Sequence, residues 1–454
     1  MTTQPIAASA DGIADPQRRV WAIAAVLAGM VLVVLDAAIA NIALPTIGTS
    51  LQVTPASAVQ VVTAYQLGLV MMLLPAAALG ESLGFRRVFA AGAALFTAAS
   101  VVCALSPSLT WLVVARFVQG IGGAGIMALG VALLRFVVPQ HRLGAAIGWN
   151  ALTVALSSAA GPTLGATILS LASWPWLFAV NLPIGVGVLI AARALPVVKG
   201  TGRPLDLASV VLSASTFALL VIGAEYAPSN PTLAIVLFVV AAAAGTMLVR
   251  REVGRVAPLI PLDLLSRSSF RVSVIASVLC FTGQAAGLVA LPFYLQHAFG
   301  LTPLMVGLYL SPWPLTVALV GPLAGRLADR VPTAFLCLTG GVLLAIGLGA
   351  AAFWPFHGHP LALGFFMMLC GLGFGLFNGP NNRNMFLSAP RERSGAAGGL
   401  QGVARLTGQT AGAVAMTLLF DLSSLSAAPQ MGLAFAAVLT LAAGATSMLR
   451  ANAN

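Results

Sequence analysis

Charged residues are scarce in this sequence. Asp, Glu, Lys and Arg make up 7% of the 454 residues, whereas hydrophobic residues make up 59% and the mean hydropathy is +1.00. A soluble domain has about 25% charged residues, so this composition excludes a soluble globular protein. It indicates an all-α polytopic membrane protein.

Paired cysteines and catalytic motifs are missing as well. The cysteines, Cys103, Cys280, Cys337 and Cys370, lie far apart within predicted spans, so we interpret them as packing residues. We find no nucleotide loop, no metal-ligand spacing and no nucleophile beside a base. The sequence therefore predicts neither an enzyme, nor a metal site, nor a cofactor. Residues 1–19 lack the apolar core of a signal peptide, so the first helix should be retained.

Long apolar stretches recur along the whole chain. Each has about 20 residues, enough for a helix to cross a hydrocarbon core of about 30 Å. The number of spans would change by a pair if 206–249 did not form two of them. We predict fourteen spans, near 20–44, 57–79, 88–106, 110–134, 143–170, 176–195, 206–226, 231–249, 272–297, 304–324, 334–354, 361–386, 394–421 and 429–449.

The positive charges predict the orientation in the membrane. All 22 Lys and Arg residues lie in the N-terminal tail, in every second loop or an adjoining helix end, at the C-terminus or inside helices. By the positive-inside rule both termini are cytoplasmic, as expected for a multi-pass protein of the inner (cytoplasmic) membrane. The net charge of +11 does not indicate nucleic-acid binding, because the arginines follow one membrane face without interleaved aromatic residues.

A sequence repeat divides the chain into two halves. The pattern Pro-x-x-Arg-x-Gly-Ala-Ala-x-Gly at 139–148 returns at 390–399, an offset close to 250 residues. Parallel halves of this kind occur in secondary transporters, with substrate bound near the midplane between them. The predicted domains are a cytoplasmic tail (1–19), an N-terminal six-helix bundle (20–200), an inserted helix pair with its linker (201–255) and a C-terminal six-helix bundle (256–450).

One acidic residue lies inside an apolar run. Asp36 is flanked by residues 30–35 and 37–40, all of them apolar, in the first predicted helix. An ionisable group at this depth in a membrane helix is costly, so it is by default a functional hypothesis. Residues 35–45, which include Asp36, Asn41 and Pro45, resemble the helix 1 motif of the fourteen-span drug:proton antiporter branch of the major facilitator superfamily.

The resemblance covers about residues 20 to 450, and two related loops extend it. Residues 79–87 and 325–332 are similar to the family's Gly-x-Leu-Ala-Asp-Arg-x-Gly-Arg-Arg loop. It implies that the acid accepts hydrogen bonds from a helix N-terminus and that the arginines close an inner gate by ion pairs. A generic basic loop is the alternative. The predicted gating residues are Gly80, Glu81, Arg86, Arg87, Gly325, Asp329 and Arg330.

A third motif lies on the fourth predicted helix. Residues 116–120 match the family's Arg-x-x-Gln-Gly pattern, which begins at Arg116. At 1.5 Å per residue, Arg116 lies roughly 9 Å and Asp36 roughly 13 Å below the outer ends of their helices. The two charges lie within about one turn in depth, so they can pair across the cavity; separate polar partners are the alternative. Asp36 and Arg116 are the predicted proton-coupling residues.

The fifth predicted helix carries the resemblance to antiporters. Its small residues match the antiporter signature at full spacing, with Ser157 and Ala166 in place of two glycines. Small residues allow close helix packing and proline can kink a helix. The matching residues are Gly148, Gly161, Pro162 and Gly165.

Polar and aromatic residues elsewhere in the spans predict a central cavity. In the second half, Gln401, Arg405 and Gln409 recur every four residues and form a polar stripe. The predicted cavity residues are Asn41, Tyr65, Gln66, Gln119, Phe281, Gln284, Tyr294, Asn378, Gln401 and Arg405.

Together these features predict a proton-driven exporter of lipophilic, cationic compounds that works by alternating access as a monomer. Its partners would be a small-molecule substrate, protons and the lipid bilayer, with the proton gradient as energy source. Substrate and proton would compete for the Asp36 carboxylate. Two alternatives remain: a transporter of an anionic or neutral solute, because Arg116 and Arg405 outnumber the central acid, and a non-transporting receptor on the same fold.

Overall fold

The computed structural model describes residues 12–53, 55–203, 205–227, 230–253, 259, 261–299, 303–353, 360–423 and 427–450. These residues form helices and short connections, without a strand among them. The helices of the first half are α1 (Pro16–Ser50), α2 (Pro55–Leu83), α3 (Phe85–Ala104), α4 (Leu109–Val137), α5 (Leu143–Leu171), α6 (Trp176–Ala179) and α7 (Asn181–Ala191).

The remaining helices complete the chain. A pair, α8 (Leu207–Tyr226) and α9 (Pro231–Glu252), follows the first half. The second half contains α10 (Leu262–Leu265), α11 (Ser268–Phe299), α12 (Pro303–Leu310), α13 (Pro312–Leu327), α14 (Thr333–Phe353), α15 (Pro360–Ser388), α16 (Ser394–Leu422) and α17 (Ala428–Met448).

Several helix starts follow directly from local sequence. The Asp15 side chain accepts a hydrogen bond from the Gln17 amide at 3.0 Å, and Pro16 occupies the first helical position, so α1 starts earlier than the predicted 20. Asn230 caps α9 in the same way, through the Leu233 amide at 3.1 Å, ahead of Pro231. These caps satisfy amide groups that a helix start leaves without partners.

Two predicted spans are interrupted in the structure. The span predicted at 176–195 is split between α6 and α7, and the span predicted at 304–324 is split between α12 and α13. Pro183 and Pro312 lie just after the breaks, and proline has no amide hydrogen to donate to the preceding turn. Both prolines are visible in the sequence, but the apolar residues continue on either side of them, and each stretch was therefore predicted as one uninterrupted span.

Twelve helical segments of the described chain are long and apolar enough to cross a membrane, so the protein is a multi-pass membrane protein. The 29-residue helices α5 and α16 are not among the twelve. The predicted fourteen spans stay a prediction, as do the predicted domain boundaries.

The helices pack in two groups. Within the first half α4 packs on α2 and α3, and α1 packs on α5 and α7; within the second half α14 packs on α15 and α17, and α11 packs on α16 and α17. The groups meet where α5 contacts α13 and where α16 contacts α2 and α4. Helix α8 packs on α9 and contacts α2.

The repeated segment has the same local structure in both halves. Pro139 and Pro390 have backbone angles within a few degrees of each other, and each precedes a short 3-10 turn, at Gln140–Arg142 and Arg391–Arg393. Each turn leads into a 29-residue helix, α5 or α16. The repeat in the sequence is therefore a repeat in structure at this point.

Candidate functional site

A buried ion pair lies inside the first half. Asp36 on α1 and Arg116 on α4 are 2% and 0% exposed, and Arg116 Nη1 lies 2.5 Å from Asp36 Oδ2. The two residues pair as predicted, but inside the first half and not across the cavity. A charge pair removed from water needs further hydrogen bonds to be tolerated, and both groups have them.

Three buried polar side chains surround this pair. Gln119 Nε2 and Asn181 Nδ2 donate to Asp36 Oδ1 at 3.0 and 2.6 Å, and Arg116 Nη1 donates to Gln119 Oε1 at 2.6 Å. Ser100 accepts from the Gln119 amide at 2.8 Å. The carboxylate is thus held by α1, α3, α4 and α7 together, directly or through Ser100.

Two members of this cluster were not predicted. Asn181 and Ser100 are uncharged polar residues, and serine and asparagine are common in helix interfaces, so neither stands out in the sequence as Asp36 does. Only the packing of α7 against α1 and α3, and of α3 against α4, brings them to the carboxylate. We name the set Asp36, Arg116, Gln119, Asn181 and Ser100 the charge cluster.

Tyr65 on α2 joins the charge cluster to α1. The Arg116 guanidinium lies over the Tyr65 ring, with 4.3 Å from its central carbon to the ring centroid, and the Tyr65 hydroxyl donates to the Val33 carbonyl at 3.1 Å. Such a cation–π contact is attractive and strongest where water is excluded. Among the described residues, Arg116 Nη2 and Asn181 Oδ1 have no hydrogen-bond partner, so the cluster is not fully satisfied.

A central cavity of about 440 Å³ lies between the two halves. Its aromatic residues come from the second half, and its remaining surface is aliphatic and amide-rich. A volume of this size is in the range of small-molecule sites. The side chains that line it include Met30, Val34, Met127, Val131, Ile147, Asn150, Phe281, Gln284, Trp313, Phe374, Asn378, Asn382, Gln401, Arg405 and Gln409.

The predicted cavity residues are only partly correct. Phe281, Gln284, Asn378, Gln401 and Arg405 line the cavity, as expected. The other predictions differ, apart from Asn41, whose side chain lies outside the described part of the structure.

Gln119 belongs to the charge cluster, and Tyr65 contacts it through Arg116. Neither residue lines the cavity. Gln66 is exposed and is not among the residues that line the cavity. Tyr294 packs within the second half and donates to the Ala352 carbonyl at 3.4 Å. These four residues do not line this cavity, and their role in substrate binding stays a prediction.

Asp36 does not line the cavity either. Met30 and Val34 face the cavity from α1, and Asp36, two residues after Val34, lies about 200° further around the helix. The carboxylate is directed into the first half, toward Arg116 and Asn181. The expected competition of substrate and proton for one carboxylate therefore does not fit this arrangement.

The two halves are joined at the end of the bundle that carries the arginine-rich loops. Glu81 at the end of α2 forms an ion pair with Arg393 and accepts a hydrogen bond from the Ala396 amide, in the first turn of α16, at 2.7 Å. Arg135 on α4 donates to the Ala389 carbonyl at 2.9 Å and to Ser394 Oγ at 3.0 Å. The expectation that the loop acid accepts from a helix N-terminus is confirmed for Glu81.

The segments on either side of α8 and α9 also contact this junction. The amides of Thr201 and Gly202 donate to the carbonyls of Glu81 and Ser82, at 2.9 and 3.0 Å. After α9, Asp263 pairs with Arg393, with 2.9 Å between Arg393 Nη2 and Asp263 Oδ1. We name Glu81, Arg393 and Asp263 the gate triad.

The arginines that pair with the two loop acids differ from those predicted. Arg86, Arg87 and Arg330 form no ion pair with a described residue; α3 begins with Phe85 in the buried position, which leaves Arg87 exposed. The partners of the two loop acids are Arg393 and Arg383, the latter 3.0 Å from Asp329. The pKa of the Asp329 carboxyl is above its usual value, because the effect of burial, which raises it, is larger than the effect of the Arg383 charge, which lowers it.

Glycines allow α5 and α13 to touch. A Cβ atom added to Gly144 would lie 2.3 Å from the Gly325 carbonyl oxygen, and one added to Gly148 would lie 2.5 Å from the Gly321 carbonyl oxygen. Real Cβ contacts do not come this close, so any side chain here would separate the helices. Two predicted motifs, the antiporter signature and the second loop, therefore meet at this helix contact.

The rest of the antiporter signature packs inside the first half. A Cβ atom at Gly161 would lie 2.3 Å from Ala38 on α1, whereas one at Gly165 would meet nothing closer than 3.6 Å. Gly80 packs on Leu129 of α4. The Pro162 side chain lies outside the described part of the structure.

Known proteins resemble the chain over most of its length. A family model described as Major Facilitator Superfamily matches residues 26–413 and 273–452. The chain is 42% identical to the uncharacterized transporter YebQ of Escherichia coli (strain K12), over 97% of both chains. It is 30% identical to the riboflavin transporter RibZ of Clostridioides difficile (strain 630), over 82% of this chain and 81% of that one.

One further relative and one solved structure complete the comparison. The multidrug resistance protein Stp of Mycobacterium tuberculosis (strain CDC 1551 / Oshkosh) is 31% identical over 85% of this chain and 72% of its own length. The crystal structure of the human organic anion transporter MFSD10 (TETRAN) superposes with a TM-score of 0.70 at 17% identity, over 95% of this chain and 100% of that one. At that identity the likeness shows the fold alone.

Proposed function

This chain belongs to the Major Facilitator Superfamily, and from that premise we propose that it is a proton-coupled exporter of lipophilic small molecules. It is a membrane transporter and not an enzyme. Members of the family bind small-molecule substrates. Relatives that include a multidrug resistance protein and a riboflavin transporter support organic small molecules as the substrates.

The observation that carries the proposal is the Asp36–Arg116 pair on the reverse face of a cavity-lining helix. Asp36 is the proposed proton carrier: protonation removes its charge and weakens its hold on Arg116, and deprotonation restores the pair. Val33 and Val34 are neighbours on α1. The Val33 carbonyl accepts the hydrogen bond from Tyr65, and the Val34 side chain lines the cavity. Movement of α1 would therefore link the proton site to the substrate site without a shared carboxylate.

The gate triad supports alternating access. Hydrogen bonds and ion pairs between the halves, among the described residues, lie at the arginine-rich end or beside the cavity. We assign this end to the cytoplasm because it carries the positive charges. Since the two halves are joined there, we assign the structure to an outward-facing state. The proposed gate opens when Glu81 releases Arg393 and the start of α16.

The proposed membrane topology has fourteen spans with both termini in the cytoplasm of the inner membrane. At 1.5 Å per residue, α5 and α16 are each about 44 Å long, longer than a hydrocarbon core of about 30 Å. Adding them to the twelve segments gives fourteen. The pair α8–α9 is then the insertion between two six-helix bundles, in a protein that acts as a monomer.

A second candidate function is transport of one specific anionic or neutral solute. It is favoured by the cavity, in which Arg405 is the charged residue and none of the described lining residues is acidic. A cationic substrate, expected from the sequence, would find no carboxylate among them. A receptor without transport has no observation in its favour.

The test is transport by purified protein in proteoliposomes with an imposed pH gradient. Three dyes cover the charge classes: rhodamine 123 as a cation, riboflavin as a neutral compound and 5-carboxyfluorescein as an anion. The proposal expects uphill accumulation of at least one dye against a proton flow, abolished by a protonophore. Accumulation that ignores the pH gradient, or no movement of any dye, would contradict it.

A further inference from the structure

We propose that Arg405 is a binding site for the acidic group of the transported compound, so that the substrates are aromatic carboxylates or sulfonates. The inference rests on the proposed function, since it names the substrate class of the same cavity.

Arg405 lies at the middle of the molecule. It is 11 residues into α16, about 17 Å from the helix start at 1.5 Å per residue, and it lines the cavity. That distance is roughly half the thickness of a hydrocarbon core of about 30 Å. A cation at this depth is costly unless a partner or water solvates it.

The partners of Arg405 are poor in comparison with those of other arginines. Its one hydrogen bond among the described residues runs from Nη2 to the Met127 sulfur, at 2.8 Å, and Nε has no partner. A thioether is a weak acceptor. By contrast, Arg116 has a carboxylate and a backbone carbonyl, and Arg135 has two carbonyls and a hydroxyl.

A carboxylate or sulfonate supplies what is missing. The guanidinium can donate two parallel, charge-assisted hydrogen bonds to either group, a geometry that lysine cannot reproduce. Gln401 and Gln409 lie one turn before and one turn after Arg405 on the same helix face, and both line the cavity. Their amide groups can donate to the remaining acceptor oxygens.

The cavity walls select the rest of the molecule. Phe281 and Phe374 pack edge to face, with ring centroids 5.6 Å apart, and Trp313 lines the same cavity. Aromatic rings pack well on such surfaces. The aliphatic side chains of Met30, Val34 and Met127 enter from the other half. An aromatic acid would thus contact both halves, and its acidic group would replace Met127 at Arg405.

The experiment measures equilibrium binding of 5-carboxyfluorescein, riboflavin and rhodamine 123 to the purified full chain, without any gradient. Arg405→Gln should weaken 5-carboxyfluorescein binding by at least about tenfold, the loss expected when a bidentate charge-assisted pair is removed. Riboflavin should change less than about threefold, and rhodamine 123 should not weaken. Arg405→Lys should fall between the unaltered protein and Arg405→Gln.

Arg193→Gln is the matched control, because it removes one arginine charge at an exposed position away from the cavity, and its binding should equal that of the unaltered protein. Three results would overturn the inference: no binding of 5-carboxyfluorescein to the unaltered protein, equal binding to Arg405→Gln, or the same loss for all three dyes. The proposed function fails separately. Binding through Arg405 without proton-driven accumulation of any dye would leave this site in place and remove the exporter.

Discussion

Among individual residues, Asp36 and Arg116 are under the strongest electrostatic constraint. Both are fully buried, 2.5 Å apart and hydrogen-bonded to Gln119, so each charge depends on the other for its solvation. Removing one partner of such a pair leaves an uncompensated charge in a medium of low dielectric constant. The pair therefore affects stability as well as coupling.

A double-mutant cycle tests this dependence. Asp36→Asn and Arg116→Gln should each destabilise the protein, by about 3–5 kcal/mol for a buried pair that loses one member. The double variant should recover a large part of that loss, because both charges are gone and the amides can still hydrogen-bond. Thermal unfolding in detergent measures all four proteins. Additive losses in the double variant would show that the two charges do not stabilise each other.

The sequence was sufficient to predict this pair but not its surroundings. Asp36 and Arg116 stand out because a charge in an apolar span has few ordinary explanations, and their depths could be compared from helix geometry. Asn181 and Ser100 are uncharged, so they do not stand out in this way. Gln66 and Tyr294 were predicted to line the cavity because they are polar. Polarity shows that a side chain needs a hydrogen-bond partner, but it does not show the direction in which the side chain points. Helix rotation, which decides this, depends on tertiary packing.

Among the helices, the contact between α5 and α13 controls how closely the two halves approach. The glycines at 144 and 325 bring a backbone oxygen of each helix to within 2.3 Å of where the other would carry a Cβ atom. Gly144→Ala should therefore hold the cytoplasmic end partly open. Gly165→Ala is the matched control on the same helix, because its Cβ atom would meet nothing closer than 3.6 Å.

The readout is a cysteine at a cavity position, Ser158→Cys, in a background without the four native cysteines. A membrane-impermeant maleimide added from the cytoplasmic side of inverted vesicles should label it faster in Gly144→Ala than in Gly165→Ala. Equal labelling rates in the two variants would refute a gate formed by close helix contact.

Asp263, in the segment that follows α9, is the second acid of the gate triad. Asp263→Asn removes one of the two carboxylates at Arg393 and should raise cytoplasmic labelling of the same cavity cysteine. Asp206→Asn is the control, since Asp206 pairs with the half-exposed Arg251 on the helix pair and not with Arg393. If both variants label alike, the linker does not contribute to closure.

The family resemblance predicted the loop acids in these elements but not their partners. The position of Glu81 at the end of α2 followed from the loop motif, and so did its acceptance of a helix N-terminus. Arg393 belongs to the repeated segment at 390–399. It was recognised as part of that repeat, but it was not predicted as the ion-pair partner of Glu81. The arginines nearest in sequence, Arg86 and Arg87, were expected instead, because a sequence gives neighbours along the chain and not across the two halves.

The whole molecule combines three parts: an end joined at the gate triad, a central cavity, and a charge cluster behind the cavity wall. Helix α1 takes part in the last two, with Val34 on the cavity face and Asp36 on the opposite face. In the proposed mechanism coupling is indirect: proton and substrate bind different sites and favour different positions of the same helix. Asp36 is the proposed proton carrier.

That claim is tested most directly by proton-driven transport in Asp36→Asn, with whichever of the three dyes the unaltered protein accumulates. Proteoliposomes with an imposed pH gradient should show no uphill accumulation by the variant, while exchange of dye across the membrane without a gradient continues, because the cavity does not contain Asp36. Exchange also verifies that the variant is folded. Uphill accumulation by Asp36→Asn at the rate of the unaltered protein would contradict the account.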